Sequence, residues 1–417
     1  MHKIERLLQT LAPKGVEFKT LEEVFEIKNG YTPSKNNPEF WEKGTIPWFR
    51  MEDIRENGRI LKDSIQHITP KALKGKKLFP KNSIIISTTA TIGEHALLIV
   101  DSLANQQFTF LSKKANCGIA LDMKFFFYQC FLLGEWCKKN TNVSGFASVD
   151  MTAFKKYKFP IPPLEIQQEI VKILDAFTEL NTELNTELKA RKKQYQYYQN
   201  MLLDFKDIHL NHKDAKMSAK TYPKPLKTLL QTLAPKGVEF RKLGEVINIL
   251  KGKQLNKELL LDYGEYPVMN GGIHASGYWN EYNTDYPKII ISQGGASAGY
   301  VNYMTSKFWA GAHCYAIELN SEKLNYKFLY YFLKNSQTIL MKSQFGAGIP
   351  ALNKADIETL TIPIPPLEIQ QEIVKILDQF SILTTDLLAG IPAEIKARKK
   401  QYEYYREKLL TFKPLKA

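Results

Sequence analysis

The sixteen residues Pro-Ile-Pro-Pro-Leu-Glu-Ile-Gln-Gln-Glu-Ile-Val-Lys-Ile-Leu-Asp, from Pro160 to Asp175, return letter for letter from Pro363 to Asp378. An identity of that length is a duplication, so the chain must fold into something that contains one unit twice. The stretch has the chemistry of a helix entry. Pro163 and Pro366 suit the first helical position, where a missing N–H costs nothing. Glu165, Glu169, Glu368 and Glu372 favour the positive end of a helix dipole. Leu164, Ile170, Ile173, Leu174 and Phe177 form an apolar stripe at helical spacing. Each copy therefore closes a globular unit with Pro-rich chain and launches a helix.

Two further blocks repeat. Leu7–Phe18 recurs at Leu229–Phe240, 222 residues on, and Lys189–Tyr195 recurs at Lys396–Tyr402, 207 residues on. The helix entry itself recurs after 203 residues, so the second globular unit is 19 residues shorter and the second helical segment 4 residues longer. Two copies are too few for a solenoid and imply a pseudo-twofold molecule. Residues 1–159 read as one globular domain with a short N-terminal helix, 160–205 as a long helix and 206–225 as a polar linker. Residues 226–362 read as the second domain and 363–417 as its helical segment.

The domain interiors diverge, with one exception. Ile84–Ser87 leads through a small-residue loop to Gly93, and Ile289–Ser292 leads likewise to Gly299. Both read as a buried strand, a loop, then another strand. Helices are expected over Asp122–Cys137 and near Asn325–Leu340. The class is α+β, two such domains separated by two long antiparallel helices. No Gly or Pro interrupts Leu164–Phe205, which permits a helix of about 40 residues, or about 60 Å. Inside it Thr178–Leu188 carries a Thr-Glu-Leu-Asn repeat that lines up Leu180, Leu184 and Leu188 as the seam of a helix pair. Gly390 and Pro392 are expected to break its counterpart.

A net charge of +14 suits a polyanionic partner. No apolar run approaches a membrane span, and the N-terminus lacks a signal-peptide core. Cys117, Cys130, Cys137 and Cys314 show no ligand spacing and read as reduced thiols in a cytoplasmic protein. Enzymatic motifs fail one by one. Asn37-Pro38-Glu39-Phe40 superficially resembles an amino-methyltransferase motif, but Glu39 stands where a proline belongs, and no Gly-rich cofactor loop precedes it. A Pro-containing turn is the better reading. Gly294–Gly299 lacks the Lys-Ser/Thr of a phosphate-binding loop. The seven histidines have no metal-ligand spacing. No cofactor and no metal is expected.

The chain resembles the specificity subunits of type I restriction-modification systems. The duplicated Pro-Pro-Leu-Glu-Ile-Gln-Gln-Glu-Ile, headed each time by Ile-Pro, carries the resemblance together with Pro47–Ile54, Tyr266–Gly272, Gly277-Tyr278, Lys307–Trp309 and His313. It implies two target-recognition domains, each followed by a long helix, reading a bipartite double-stranded DNA site. It also implies two methyltransferase subunits held beside the site, a motor-nuclease subunit for cleavage, and no chemistry by the chain itself. The rivals are a fused methyltransferase or endonuclease, and a coiled-coil scaffold that never touches DNA.

Base edges are read by Arg, Lys, Asn, Gln, Ser and Thr, whereas basic residues on phosphates position a protein. Arg50 beside Trp48 is one candidate reader, set against an ordinary salt bridge with Asp53. Lys74, Lys76 and Lys77 suit phosphates, or a solvated turn. Thr88, Thr89 and Thr91, with the matching Gln293 and Ser297, sit on the loop after the shared strand. Asn105, Gln106 and Gln107 offer amides in the first domain; His274, Tyr278 and His313 serve in the second. The duplicated Lys-Ala-Arg-Lys-Lys is a solvated face, or one of two equivalent docking surfaces.

Overall fold

The computed structural model describes residues 2–73, 75, 77–142, 147–205, 222–346, 350–385 and 390–415. The chain divides into two compact units, and the division falls inside a helix. Unit 1 holds Met1–Glu183 together with Lys396–Ala417, and unit 2 holds Leu184–Ile395. Each unit thus takes the tail of a helix that begins in the other.

In unit 1 a five-stranded sheet carries the main core. Its strands run in the order Phe25–Asn29, Phe108–Lys113, Ile84–Ser87, His95–Leu98, Ile60–Leu61. A smaller sheet of His67–Ile68, Ile46–Phe49 and Leu103–Ala104 stands beside it. Ile84, Ile85 and Ile86 are fully buried on both faces of their strand, which is why three β-branched residues run together there. Unit 2 repeats the plan with a four-stranded sheet, Ile247–Lys251, Cys314–Leu319, Lys288–Ser292, Val301–Met304, and a small sheet of Gly277–Trp279, Tyr266–Met269 and Trp309–Ala310. In both small sheets the central strand pairs antiparallel on one side and parallel on the other. The expected helix after the sheet spans Met123–Lys139, with Asp122 as its cap. Its counterpart is two short helices, Tyr326–Asn335 and Gln337–Lys342, rather than one.

The duplicated helix entry owes its identity to what it holds. Gln167 is fully buried; its Oε1 accepts from Asp122 N at 2.8 Å, and its Nε2 donates to Ala120 O at 2.9 Å and Pro162 O at 2.7 Å. Gln370 does the same with Asn325 N, Lys323 O and Pro365 O. Eight residues on, Asp175 accepts from Lys124 Nζ at 2.6 Å and Tyr128 OH at 2.7 Å, and Asp378 from Lys327 and Tyr331. Ile166, Ile170 and Leu174, like Ile369, Ile373 and Leu377, are fully buried between these polar anchors. The sixteen residues therefore fasten a helix to its own domain in two identical ways.

The first long helix spans Leu164–Leu203, 40 residues, as the uninterrupted sequence predicts. Leu184 is buried and Leu180 and Leu188 half-buried, so the leucine stripe is an inward face. The second segment consists of Leu367–Thr385 and Ile391–Leu410; Gly390 lies outside both helices, as expected, whereas Pro392 sits in the first turn of the second, where a proline is tolerated. In unit 1 Phe177 packs on Tyr402 and Tyr405; in unit 2 Tyr195 and Tyr198 pack on Phe380. Each unit thus pairs the start of one helix with the end of another, as oppositely running helices require.

The four cysteines are free thiols, three of them buried. No described helix is long and apolar enough to cross a membrane. Asn37 caps a short turn at Pro38–Phe40, its side chain accepting from Glu39 N, in line with the turn reading.

Candidate nucleic-acid interface

Thr88, Thr89, Thr91 and Asn105–Gln107, and in unit 2 Gln293, Ser297 and His313, gather where the strand–loop–strand element meets the connection that follows the small sheet. In unit 1 this is 88–92 against 105–107. Thr88 N donates to Gln107 O at 3.1 Å, and Val149 N donates to Thr88 O at 2.9 Å from the other side. In unit 2 the same frame is built from different residues. Gln293 N donates to His313 O at 2.8 Å, and Leu352 N donates to Gln293 O at 2.8 Å. A glycine makes the close approach possible in each. A Cβ on Gly30 would lie 2.1 Å from Asn105 O, and one on Gly252 would lie 2.1 Å from Gly311 O. Thr88 thus corresponds to Gln293 and Gln107 to His313, and the backbone is common while the side chains are not.

Several candidates turn out to support the rim rather than form it. Trp48 is buried, and its indole N–H donates to Tyr31 O at 2.9 Å, so it offers DNA no free edge. Unit 2 satisfies the matching carbonyl from another strand, with Trp309 Nε1 donating to Lys253 O at 3.1 Å. Thr88 is also buried, its hydroxyl shared with Thr109 at 2.9 Å. Trp48 and Thr88, two of the candidate DNA-contacting residues, are thus each enclosed by the domain's own core and bonded within it. Gln107 spends its amide on Thr89 O and Thr91 Oγ1, bracing the loop. Asn105 Oδ1 accepts from Gln107 N, and Gln106 accepts from Thr32 while remaining exposed. Thr89 and Thr91 are half-buried.

Arg50 stands at the end of strand Ile46–Phe49, where it caps the helix Met51–Asn57. Its expected partner Asp53 is taken: that carboxylate is fully buried and accepts from Arg50 N and Ile65 N, each at 2.6 Å. The guanidinium lies instead 3.8 Å from Glu52 and 5.8 Å from the Trp48 ring, and its buried Nε has no hydrogen-bond partner. A buried donor without an acceptor is unusual. Lys77 is exposed; Lys74 and Lys76 lie outside the described residues.

In unit 2 His313 is exposed, with its backbone N–H donating to Asn270 Oδ1 at 3.1 Å. His274 and Tyr278 are exposed and Ser297 is half-buried. Lys253, exposed on the loop bonded to Ala310 O, went unnoticed in the sequence. Its one signal is adjacency to Gly252, legible only once that glycine is seen to match Gly30. Among the described residues no His, Cys, Asp and Glu cluster could hold a metal ion.

One group near this rim reports on pH. His95, fully enclosed after the first loop, contacts Gly93 O through Nδ1 and meets Phe131 edge-on at 4.6 Å. Burial, aided by the Arg59 charge, pushes its pKa down to about 3. The unfolded chain takes that proton near pH 6.5, so the folded state loses stability as pH falls below 6.5, by about 1.4 kcal/mol per unit. Between pH 7.5 and 5 the loss is about 2 kcal/mol from this group. Urea unfolding at the two pH values should show a smaller loss in His95→Leu; an equal loss in both chains would exclude His95 as the source.

The model of the type I restriction modification DNA specificity domain matches residues 13–193 and 235–397. The specificity subunit of type I restriction enzyme EcoprrI from Escherichia coli is 40% identical over 404 residues, 93% of each chain. The MjaIX specificity subunit of Methanocaldococcus jannaschii is 26% identical, across 86% of this chain and 85% of its own. The crystal structure of an S subunit from M. genitalium superposes with a TM-score of 0.58 at 20% identity, over 95% of this chain and 96% of that one. With the family model matched in both halves and a relative so similar along nearly its whole length, the chain belongs to the family of type I restriction-modification specificity subunits.

Proposed function

We propose that the chain reads a bipartite, asymmetric site on double-stranded DNA, one half-site to each domain. It holds two methyltransferase subunits beside that site, and a motor-nuclease subunit joins for cleavage. The chain does no chemistry itself. One observation carries the reading: a single hydrogen-bonded rim is built twice and furnished differently, with Thr89, Thr91 and Gln106 in unit 1 and Gln293, Ser297 and His313 in unit 2. A common frame with unlike side chains is what two different half-sites ask for. Replacing residues 19–159 with the corresponding domain of another specificity subunit should change one half of the methylated motif. If both halves change together, the domains are not independent readers.

Within unit 1, Arg50 is the proposed base reader and Lys77 a phosphate contact. Arg50→Ala is expected to weaken discrimination at one base pair by about 1–3 kcal/mol. Lys77→Ala should instead weaken binding to every sequence and flatten its salt dependence. Titrations against single-base variants of the site at two salt concentrations separate the two. Equal loss on all sequences for both mutants would remove Arg50 from the reading surface.

A further inference from the structure

The two helix tails are near copies, yet they close different domains. Gln194–Phe205 belongs to unit 2 and Gln401–Phe412 to unit 1, and both begin Gln-Tyr-x-Tyr-Tyr and end in Leu-Leu-x-Phe. Their aromatic and leucine positions would suit either domain. The tails differ at five positions, among them the residue after the tyrosines, Gln199 in one tail and Arg406 in the other, and a buried Met201 where the other has an exposed Lys408.

Each domain presents a different group to that position. In unit 1 the guanidinium of Arg406 lies 4.2 Å from the centre of the Phe131 ring and 5.3 Å from that of Tyr402. Phe131 carries Arg59 at 5.3 Å as well, so its ring serves two cations. Counting 203 residues on, as for Tyr128 and Tyr331, the place of Phe131 falls to Lys334. Lys334 is itself a half-buried cation. Its Nζ donates to Val301 O and Gln337 Oε1, each at 2.8 Å, and sits 4.0 Å from the Tyr300 ring. Among the described residues it has no carboxylate partner, and burial lowers its pKa to about 8. The tail that arrives there brings Gln199, which is buried, uncharged and 3.5 Å from Tyr331 O, one turn before Lys334.

We propose that Arg406 on the Phe131 ring, and the uncharged Gln199 against the helix turn that leads to Lys334, help decide which helix tail each domain accepts, including a tail offered by a second copy of this chain. An aromatic face attracts a guanidinium. A half-buried ammonium with no counter-ion rejects one, because two like charges would share a poorly solvated site. The selectivity is one-sided. Unit 2 excludes the arginine tail by repulsion, whereas unit 1 merely loses an attraction when given a glutamine. It follows that a recognition domain moved between chains must bring the residue at the Phe131 position that suits the tail it will meet.

The test is a pair of double-mutant cycles in the full-length chain, read by thermal unfolding. Gln199→Arg should lower Tm by about 5 °C, while Gln199→Leu, which also removes the amide but adds no charge, should lower it much less. Adding Lys334→Phe to Gln199→Arg should restore most of the loss. In the mirror cycle Phe131→Lys should destabilise, and Arg406→Gln should rescue it. Where Gln199→Arg yields no soluble protein, a soluble Gln199→Arg/Lys334→Phe chain supports the proposal and an insoluble one counts against it. Additive effects in both cycles would overturn it.

Discussion

A chain carrying Gln167→Leu is expected to lose about 3 kcal/mol of stability while keeping its helices. Leucine is one side-chain atom shorter than glutamine but keeps most of the apolar packing around position 167. What it loses is three backbone partners: Asp122 N, Ala120 O and Pro162 O are left without the side chain that satisfied them. Each unsatisfied buried group costs about 1–3 kcal/mol, and partial access of water to the chain before the Met123–Lys139 helix reduces the sum. Gln370→Leu should behave alike in unit 2, where the same three bonds recur. Urea denaturation of each variant measures the loss. A change below about 0.5 kcal/mol, the range of an ordinary surface substitution, would mean that the duplicated entry is not held by this residue.

Deleting Thr182–Asn185 is expected to change which DNA is methylated without changing either half-site. The boundary between the compact units falls between Glu183 and Leu184, inside the Thr-Glu-Leu-Asn repeat. Removing four residues withdraws about 6 Å of helix and turns the rest by about 400°, roughly 40° beyond a full turn. One base pair of DNA turns by roughly 35° and rises about 3.4 Å. The rotations agree closely, so the preferred spacer should shorten by one base pair, with the 2–3 Å of excess rise absorbed in the complex. Mapping the methylated motif in cells that carry the deletion decides the matter: an active complex with an unchanged spacer refutes the ruler.

Much of the candidate interface was legible because both domains use the same strand, loop and strand. Ile84–Ser87 and Ile289–Ser292 announce themselves as buried strands, and the polar residues after them fall at the rim. Which of those residues face outward was not legible. Trp48 and Thr88 carry groups that contact bases elsewhere, but a hydrogen bond inside the domain claims each one. Arg50 offers the reverse lesson. Asp53, three residues away, looks like its counter-ion, and instead reaches back to the Arg50 backbone as a helix cap. Sequence spacing shows that two groups are near; it does not show which atoms meet.

The sequence by itself determined the duplication, the helix entries, the 40-residue helix and the break in its partner. Those are local matters, decided by propensity, by proline and glycine, and by the period of apolar residues. Only the tertiary structure decided that each unit is completed by a tail from the other half of the chain, Leu184–Phe205 for one and Lys396–Ala417 for the other. The physical reason is that the two tails share their tyrosine and leucine positions, so those positions alone do not distinguish them. The contacts that complete each unit join residues as distant as Phe131 and Arg406, whose attraction exists only once the domain has folded around the ring.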